Sequence, residues 1–151
     1  MLRARLSEAL KEAMRAKDQV SVSTVRLALA ALKDRDIAAR GKGNTDGISE
    51  AEVLQMLQGM IKQRRESIDL YAKGGRQDLV DQETAEIAVI ERFLPQQMDE
   101  AAMADTIAAV IAETGAAGIK DMGRVMAALR ERFAGRMDFS RASAIIKQKL
   151  A

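Results

Sequence analysis

Ser49-Glu50-Ala51-Glu52 opens a helix that does not stop until Gly74-Gly75, and this segment decides the class of fold. Ser49 and Glu52 have capping-box spacing, in which each side chain satisfies a free backbone N–H at the other residue. Inside the helix, Ile61 and Ile68 share a face, yet Lys62-Gln63-Arg64-Arg65-Glu66-Ser67 between them is wholly polar. Arg64 and Arg65 follow Ile61 by three and four residues, so at least one lies on the apolar face. The next helix, over about residues 77–93, mirrors this, with Glu83 and Glu86 on one stripe between Leu79 and Ile90. Buried arginine needs a partner, and bidentate pairing with a carboxylate supplies one. Arg64 or Arg65 is therefore expected to pair with Glu83 or Glu86 and fix how the two helices pack. Glu83-x-x-Glu86 is not read as a metal or catalytic pair. Bundle di-metal sites use Glu-x-x-His, and the chain has no histidine.

Helical spacing continues on both sides. Leu2, Leu6, Leu10 and Met14 mark a first helix ending near Lys17. After a break at Asp18-Gln19, a second helix carries Val22, Val25, Leu29, Leu32 and Ile37 on one side and ends near Gly41. The 41–47 stretch, Gly-Lys-Gly-Asn-Thr-Asp-Gly, reads as a mobile loop. Val20-Ser21-Val22-Ser23 has period two but is too short for a strand. Leu94-Pro95-Gln96-Gln97 holds the only proline and is the expected boundary. Beyond it, Asp99 can cap a fifth helix stopping at Gly115. A sixth carries Ile119, Met122, Val125, Met126, Leu129 and Phe133, and a seventh is capped by Asp138 or Ser140. Met122, Met126 and Met137 read as core filler. The expected fold is all-α: a four-helix bundle over residues 1–94 and a small three-helix domain over 95–151.

Composition narrows the function. The 151 residues include no cysteine and no histidine, which excludes disulfides, thiol nucleophiles, Cys/His zinc sites and His-based catalysis. No apolar run exceeds six residues, against about 20 for a membrane span. No apolar stretch follows Met1-Leu2-Arg3-Ala4-Arg5, so a cytoplasmic protein without a signal peptide is expected. The 41–47 loop is neither a phosphate loop nor a calcium loop: Gly43 stands where the first needs Ser or Thr, and Lys42 where the second needs Asp. Gly115-Ala116-Ala117-Gly118 has the spacing of a phosphate-clamping loop but reads as a helix end. No cofactor is expected.

Charge is uneven. Residues 1–45 hold ten basic and five acidic groups, 46–118 six and fourteen, and 119–151 eight and three. The last segment includes Gly135-Arg136-Met137-Asp138, where arginine, a tight turn and a helix N-terminus coincide, a plausible phosphate contact.

Several stretches together resemble the YqeY-like family, related to the C-terminal tail of the GatB subunit of tRNA-dependent amidotransferase. They are Ala16-Lys17-Asp18, Ser23-Thr24-Val25-Arg26-Leu27, Ile61 through Ser67, Gly75-Arg76-Gln77-Asp78-Leu79, Glu83-x-x-Glu86-Ile87, Phe93-Leu94-Pro95, Lys120-Asp121-Met122-Gly123-x-Val125-Met126 and Gly135-Arg136. The family pattern after Gly135-Arg136 is Ala-Asp-Gly, whereas this chain has Met137-Asp138-Phe139. The resemblance implies a helical bundle plus a small helical domain, and a stand-alone accessory protein that binds tRNA or works beside aminoacyl-tRNA or amidotransferase machinery. The RNA face is expected on Lys120, Arg124, Arg136, Arg141 and Lys147. The alternative is a helical protein–protein adaptor. A third reading follows the family label, a carbon–nitrogen ligase with glutamine as amide donor.

The chain lacks a phosphate loop for ATP, a cysteine for glutamine hydrolysis and a recognisable Ser-Ser-Lys amidase signature, so no residue is assigned a catalytic role. The isolated protein is expected to show no glutaminase, ATPase or transamidation turnover. Glutamine-dependent amide formation on charged tRNA by the pure chain would refute this.

Overall fold

The computed structural model describes residues 1–151 and is all-α, with seven helices and no strand. The chain divides into two compact units, Met1–Leu94 and Pro95–Ala151. In the first, α1 (Leu2–Ala16) and α2 (Gln19–Gly41) are joined by only Lys17 and Asp18. Lys17 adopts a left-handed conformation at φ 56°, and Asp18 caps α2 by accepting from the Ser21 N–H and hydroxyl. α3 (Glu50–Lys73) begins with the full Ser49–Glu52 capping box, and α4 spans Gln77–Glu91. α2 packs against α1, α3 and α4, while α3 lies along α4. Leu6, Val25, Val53, Met56, Leu57 and Ile90 are fully buried among them. Each such aliphatic side chain contributes about 1.5–3 kcal/mol.

Ile37 departs from the expected inward stripe and is exposed. It lies five residues after Leu32, about 140° further round a helix of 3.6 residues per turn, so both cannot face the core. Val20 to Ser23 form the first turns of α2.

The 41–47 loop, expected to be mobile, is instead tied down. The Asn44 N–H donates to the Ala39 carbonyl and the Asn44 side-chain amide to the Gly47 carbonyl, each at 3.0 Å. Arg3 closes it from the other side. Its guanidinium grips both Asp36 oxygens at 2.5 and 2.8 Å and donates to the Ile48 carbonyl at 2.9 Å. Asp36 also accepts the Ile48 N–H at 2.9 Å. Gly47 has φ +89°, and a Cβ there would stand 2.8 Å from Arg3 Nη2 and from Asp36 Oδ1, so only glycine fits.

In the second unit, α5 (Glu100–Thr114) is capped by Asp99 and ends at Gly115 in the left-handed region. A 3-10 turn (Ile119–Asp121) leads into α6 (Met122–Phe133), and α7 (Phe139–Leu150) follows. The chain bends by 94° between α5 and the segment that carries α6. Met103, Ile107, Leu129, Met137 and Ile146 fill this core, whereas Ile119 is exposed. No single helix is long and apolar enough to cross a membrane.

The Arg3 guanidinium, then the Ile48 N–H, hold the Asp36 carboxyl down at about 2 from its ordinary 3.8. A depressed carboxylate stabilises the fold above its unfolded value, and that contribution is lost as pH falls through the folded one. Asp36→Asn should therefore unfold earlier in denaturant near neutral pH, with the gap to wild type closing between about pH 4 and 2. Urea melts of both proteins across that range check it, and a gap independent of pH would refute the clamp.

Candidate functional site

Two groups of charged side chains were expected to carry function or packing, and the structure treats them differently. At the α3–α4 interface, Arg64 points inward with its side chain 12% exposed, beside Glu86 at 14% and Glu83 at 19%. Arg64 Nε lies 3.0 Å from Glu86 and 3.9 Å from Glu83, and its Nη1 donates to the Met60 carbonyl. The Gln82 amide donates to the other Glu86 oxygen at 3.4 Å. Arg65, the other candidate, takes no part in this cluster. One residue further on, it is turned about 100° towards solvent, where it pairs with Glu91 at 3.7 Å. One guanidinium thus faces two carboxylates. Burial, and then the charge of Glu86, raise the Glu83 carboxyl above its usual range, opposed by Arg64. The arrangement ties α3 to α4 through one guanidinium and two carboxylates.

The five residues expected to meet RNA are all exposed, but they are dispersed. Lys120 sits in the 3-10 turn and Arg124 in the first turn of α6. Arg136 lies beyond the far end of α6, a helix about 18 Å long. Arg141 is in the first turn of α7 and Lys147 in its last. Arg124 is paired with Asp121 at 3.3 Å. A hydrogen bond from the Ala117 N–H is the main cause of a lowered Asp121 pKa, with Arg124 and Lys120 adding smaller contributions. Arg136, Arg141 and Lys147 form no ion pair.

The turn before α7 is not an open phosphate cradle. Asp138, rather than Ser140, is the cap, and its Oδ1 already accepts from the Ser140 and Arg141 N–H groups at 3.0 and 3.3 Å. The Gln97 side-chain amide donates to the Gly135 carbonyl, and the Met98 N–H to the Arg136 carbonyl. Met137, where the family pattern has alanine, is completely buried. Phe139 is half-buried with the Arg130 guanidinium 5.9 Å from its ring centre. At the 115–118 loop, the Ala117 N–H is likewise taken by Asp121, at 2.9 Å.

Sequence reading missed a third group. Arg5, Glu8 and Glu12 of α1 border a groove of about 470 Å³ together with Arg92 and Phe93. Arg5 and Arg92 are 87 residues apart, so no local pattern joins them. The spacing of Arg5, Glu8 and Glu12 along one face of α1 was the one signal available.

Removing Arg64 leaves two carboxylates facing each other out of water. Arg64→Ala should therefore cost towards the lower end of the ~3–5 kcal/mol seen for broken buried pairs. A raised carboxyl penalises the fold once ionised, so that penalty appears as pH rises through its titration and vanishes below it. Glu83→Gln should thus leave stability unchanged or increased at neutral pH, whereas Glu86→Gln should lower it. Thermal melts of the three variants check the order, and equal losses from both glutamine variants would contradict it.

A family model described as Yqey-like protein matches residues 3–150. Among curated proteins, Altered inheritance of mitochondria protein 41, mitochondrial, from Lachancea thermotolerans is 37% identical over 93 residues, covering 62% of this chain and 48% of the relative. The protein of that name from Eremothecium gossypii is 36% identical over 91 residues, covering 60% and 48%. That from Saccharomyces cerevisiae strain YJM789 is 34% identical over 87 residues, covering 58% and 45%. The matched part of the chain spans about half the length of each of these relatives. Their names overturn the expectation of a cytoplasmic protein, since each is named mitochondrial. The absence of cysteine and of long apolar runs suits any aqueous reducing compartment and could not tell one from another. With a match running through both helical units, the chain belongs to the YqeY-like family.

Proposed function

We propose that this protein is a non-catalytic accessory module that holds tRNA, free or aminoacylated, beside amidotransferase-type machinery. The observation carrying this reading is the state of the basic groups in the second unit: Arg136, Arg141 and Lys147 are exposed and uncommitted to any carboxylate. Such cations are what a phosphate backbone recruits, with release of its counterions. The helix N-terminus beside them is occupied by Asp138, so contact would be made by side chains and not by backbone amides. The same unit also limits the approach. Residues 95–118 carry four acidic groups and no basic one, so only the 119–151 side of the unit attracts a polyanion. The buried charges of the first unit are used in helix packing, which leaves no constellation for chemistry there.

A second reading, a protein–protein adaptor, draws on the outer face of α2. Leu27 and Ile37 are exposed there at 54% and 56%. A pull-down with and without RNase separates the two, because partners lost on RNase treatment favour tRNA and surviving partners favour the adaptor.

Within the tRNA reading the five cations are not equivalent. Arg136→Ala, Arg141→Ala and Lys147→Ala should each weaken binding uniformly across tRNA species and lower the log–log salt slope by about 0.7–0.9. Arg124→Ala, which only frees Asp121 from its partner, should have a smaller effect. Filter binding of the full chain at fixed magnesium, over a range of salt, measures both. Binding without salt dependence, or an absence of binding, would sink the proposal.

A further inference from the structure

We infer that the groove between α1, α2 and α4 is a docking site for an extended, mixed-charge peptide segment of a partner protein, one with an acidic residue and a basic residue about two or three positions apart. The groove holds about 470 Å³, within the range of ligand sites. Along α1 its lining runs from Arg5 to Ala16, about 16 Å, the length of roughly five extended residues. Ala9, Ala13, Val25, Val89 and Phe93 give it an apolar lining suited to small side chains.

Charge complementarity decides the occupant. Two guanidiniums border the groove with no carboxylate in ion-pair range. Arg5 is held by its hydrogen bond to the Arg92 carbonyl at 3.0 Å and by the Phe93 ring 5.7 Å away. Arg92 reaches the Ser21 hydroxyl at 3.5 Å, and its charge is also felt by the Asp18 carboxylate, to which that hydroxyl donates. Glu12 has no cationic partner, and Glu8 has only Lys11, at 4.0 Å on the surface. Asp18 also lines the groove but is committed to Ser21 as the cap of α2. Arg5 and the two glutamates of α1 therefore share one apolar cleft with no ion pair between them, and Arg92 is only partly offset by Asp18. A polyanion would meet Glu8 and Glu12, and a polycation would meet Arg5 and Arg92. A segment carrying one charge of each sign meets neither penalty. The three to seven helical positions between Arg5 and the two glutamates span about 5–10 Å, which sets the separation of the segment's charges. This site is independent of the basic face assigned to tRNA.

The test is an NMR titration of the labelled full chain, at low salt, with capped tetrapeptides. The probes are acetyl-Glu-Ala-Val-Lys-amide, its reverse acetyl-Lys-Val-Ala-Glu-amide, and versions carrying two lysines or two glutamates. At least one mixed-charge peptide should shift the amides of Ala9, Ala13, Val25 and Val89. It should bind about tenfold more tightly than either single-sign peptide, the scale of one charge-assisted contact. Glu12 is exposed and unpaired, so Glu12→Arg keeps the fold and should turn the preference towards the two-glutamate peptide. Equal binding of mixed and single-sign peptides, no shift at millimolar peptide, or displacement from these amides by a short RNA oligonucleotide each overturns the inference.

Discussion

The grip of Arg3 on Asp36 is the contact on which the first unit depends. It joins the first turn of α1 to the far part of α2, 33 residues away, and closes on the Ile48 carbonyl just before α3. Without it the second connection would be held only by the Asn44 bonds, the Ile48 N–H and the cap of α3. With it, Ile48 is turned into the core, Ser49 follows as the cap, and the direction of α3 is fixed. A planar fork suits this task because one guanidinium can serve a carboxylate and a carbonyl together. Glycine at position 47 completes the arrangement, since the backbone passes where a side chain would strike both members of the pair.

The α3–α4 contact works by a different balance. There a single arginine serves two glutamates, so the interface carries one negative charge more than it neutralises. Burial first, and then the charge of Glu86, raise the Glu83 carboxyl, so the surplus adds to a desolvation cost. An arginine at this position cannot be replaced by a lysine without loss, because Nε and Nη1 point to different acceptors, the carboxylate of Glu86 and the carbonyl of Met60. Such a cluster specifies which faces of the two helices meet, a role that apolar residues of equal volume would fill less selectively.

What could be read from the sequence divides along physical lines. Caps and helix ends were legible because their partners lie within four residues: Ser49 with Glu52, Asp99 with Ala102. The inward arginine was legible as a polar residue on an apolar stripe, but a three-or-four choice could not separate Arg64 from Arg65, which only the rotation of α3 against α4 decides. The order in the 41–47 loop was only partly within reach: the Asn44 bonds to Ala39 and Gly47 are local, but the clamp that closes the far end comes from Arg3, far upstream. The occupation of the backbone amides just after the Arg136 turn was not legible. Asp138 was correctly placed as a cap, yet the cap itself consumes the amides that a phosphate would need. Ile37 misled because the step of five residues from Leu32 carries it about 140° round α2, off the face that packs.

Segment charge also has to be recounted on the folded units. The 119–151 segment is strongly basic, but the unit to which it belongs holds eight basic and seven acidic residues, nearly neutral as a body. Four of those acids lie before residue 119, and one of them, Glu113, already binds Arg132. The unit is therefore a charge dipole and not a positive particle. A dipole of this kind orients a polyanion more than it concentrates one, because attraction on the α6–α7 side is opposed by repulsion from the α5 side within a Debye length of about 8–10 Å. On the proposed tRNA reading, affinity from this unit alone would be modest and would fall with salt. Under that reading, such a surface would suit an auxiliary contact to an RNA held elsewhere better than autonomous capture.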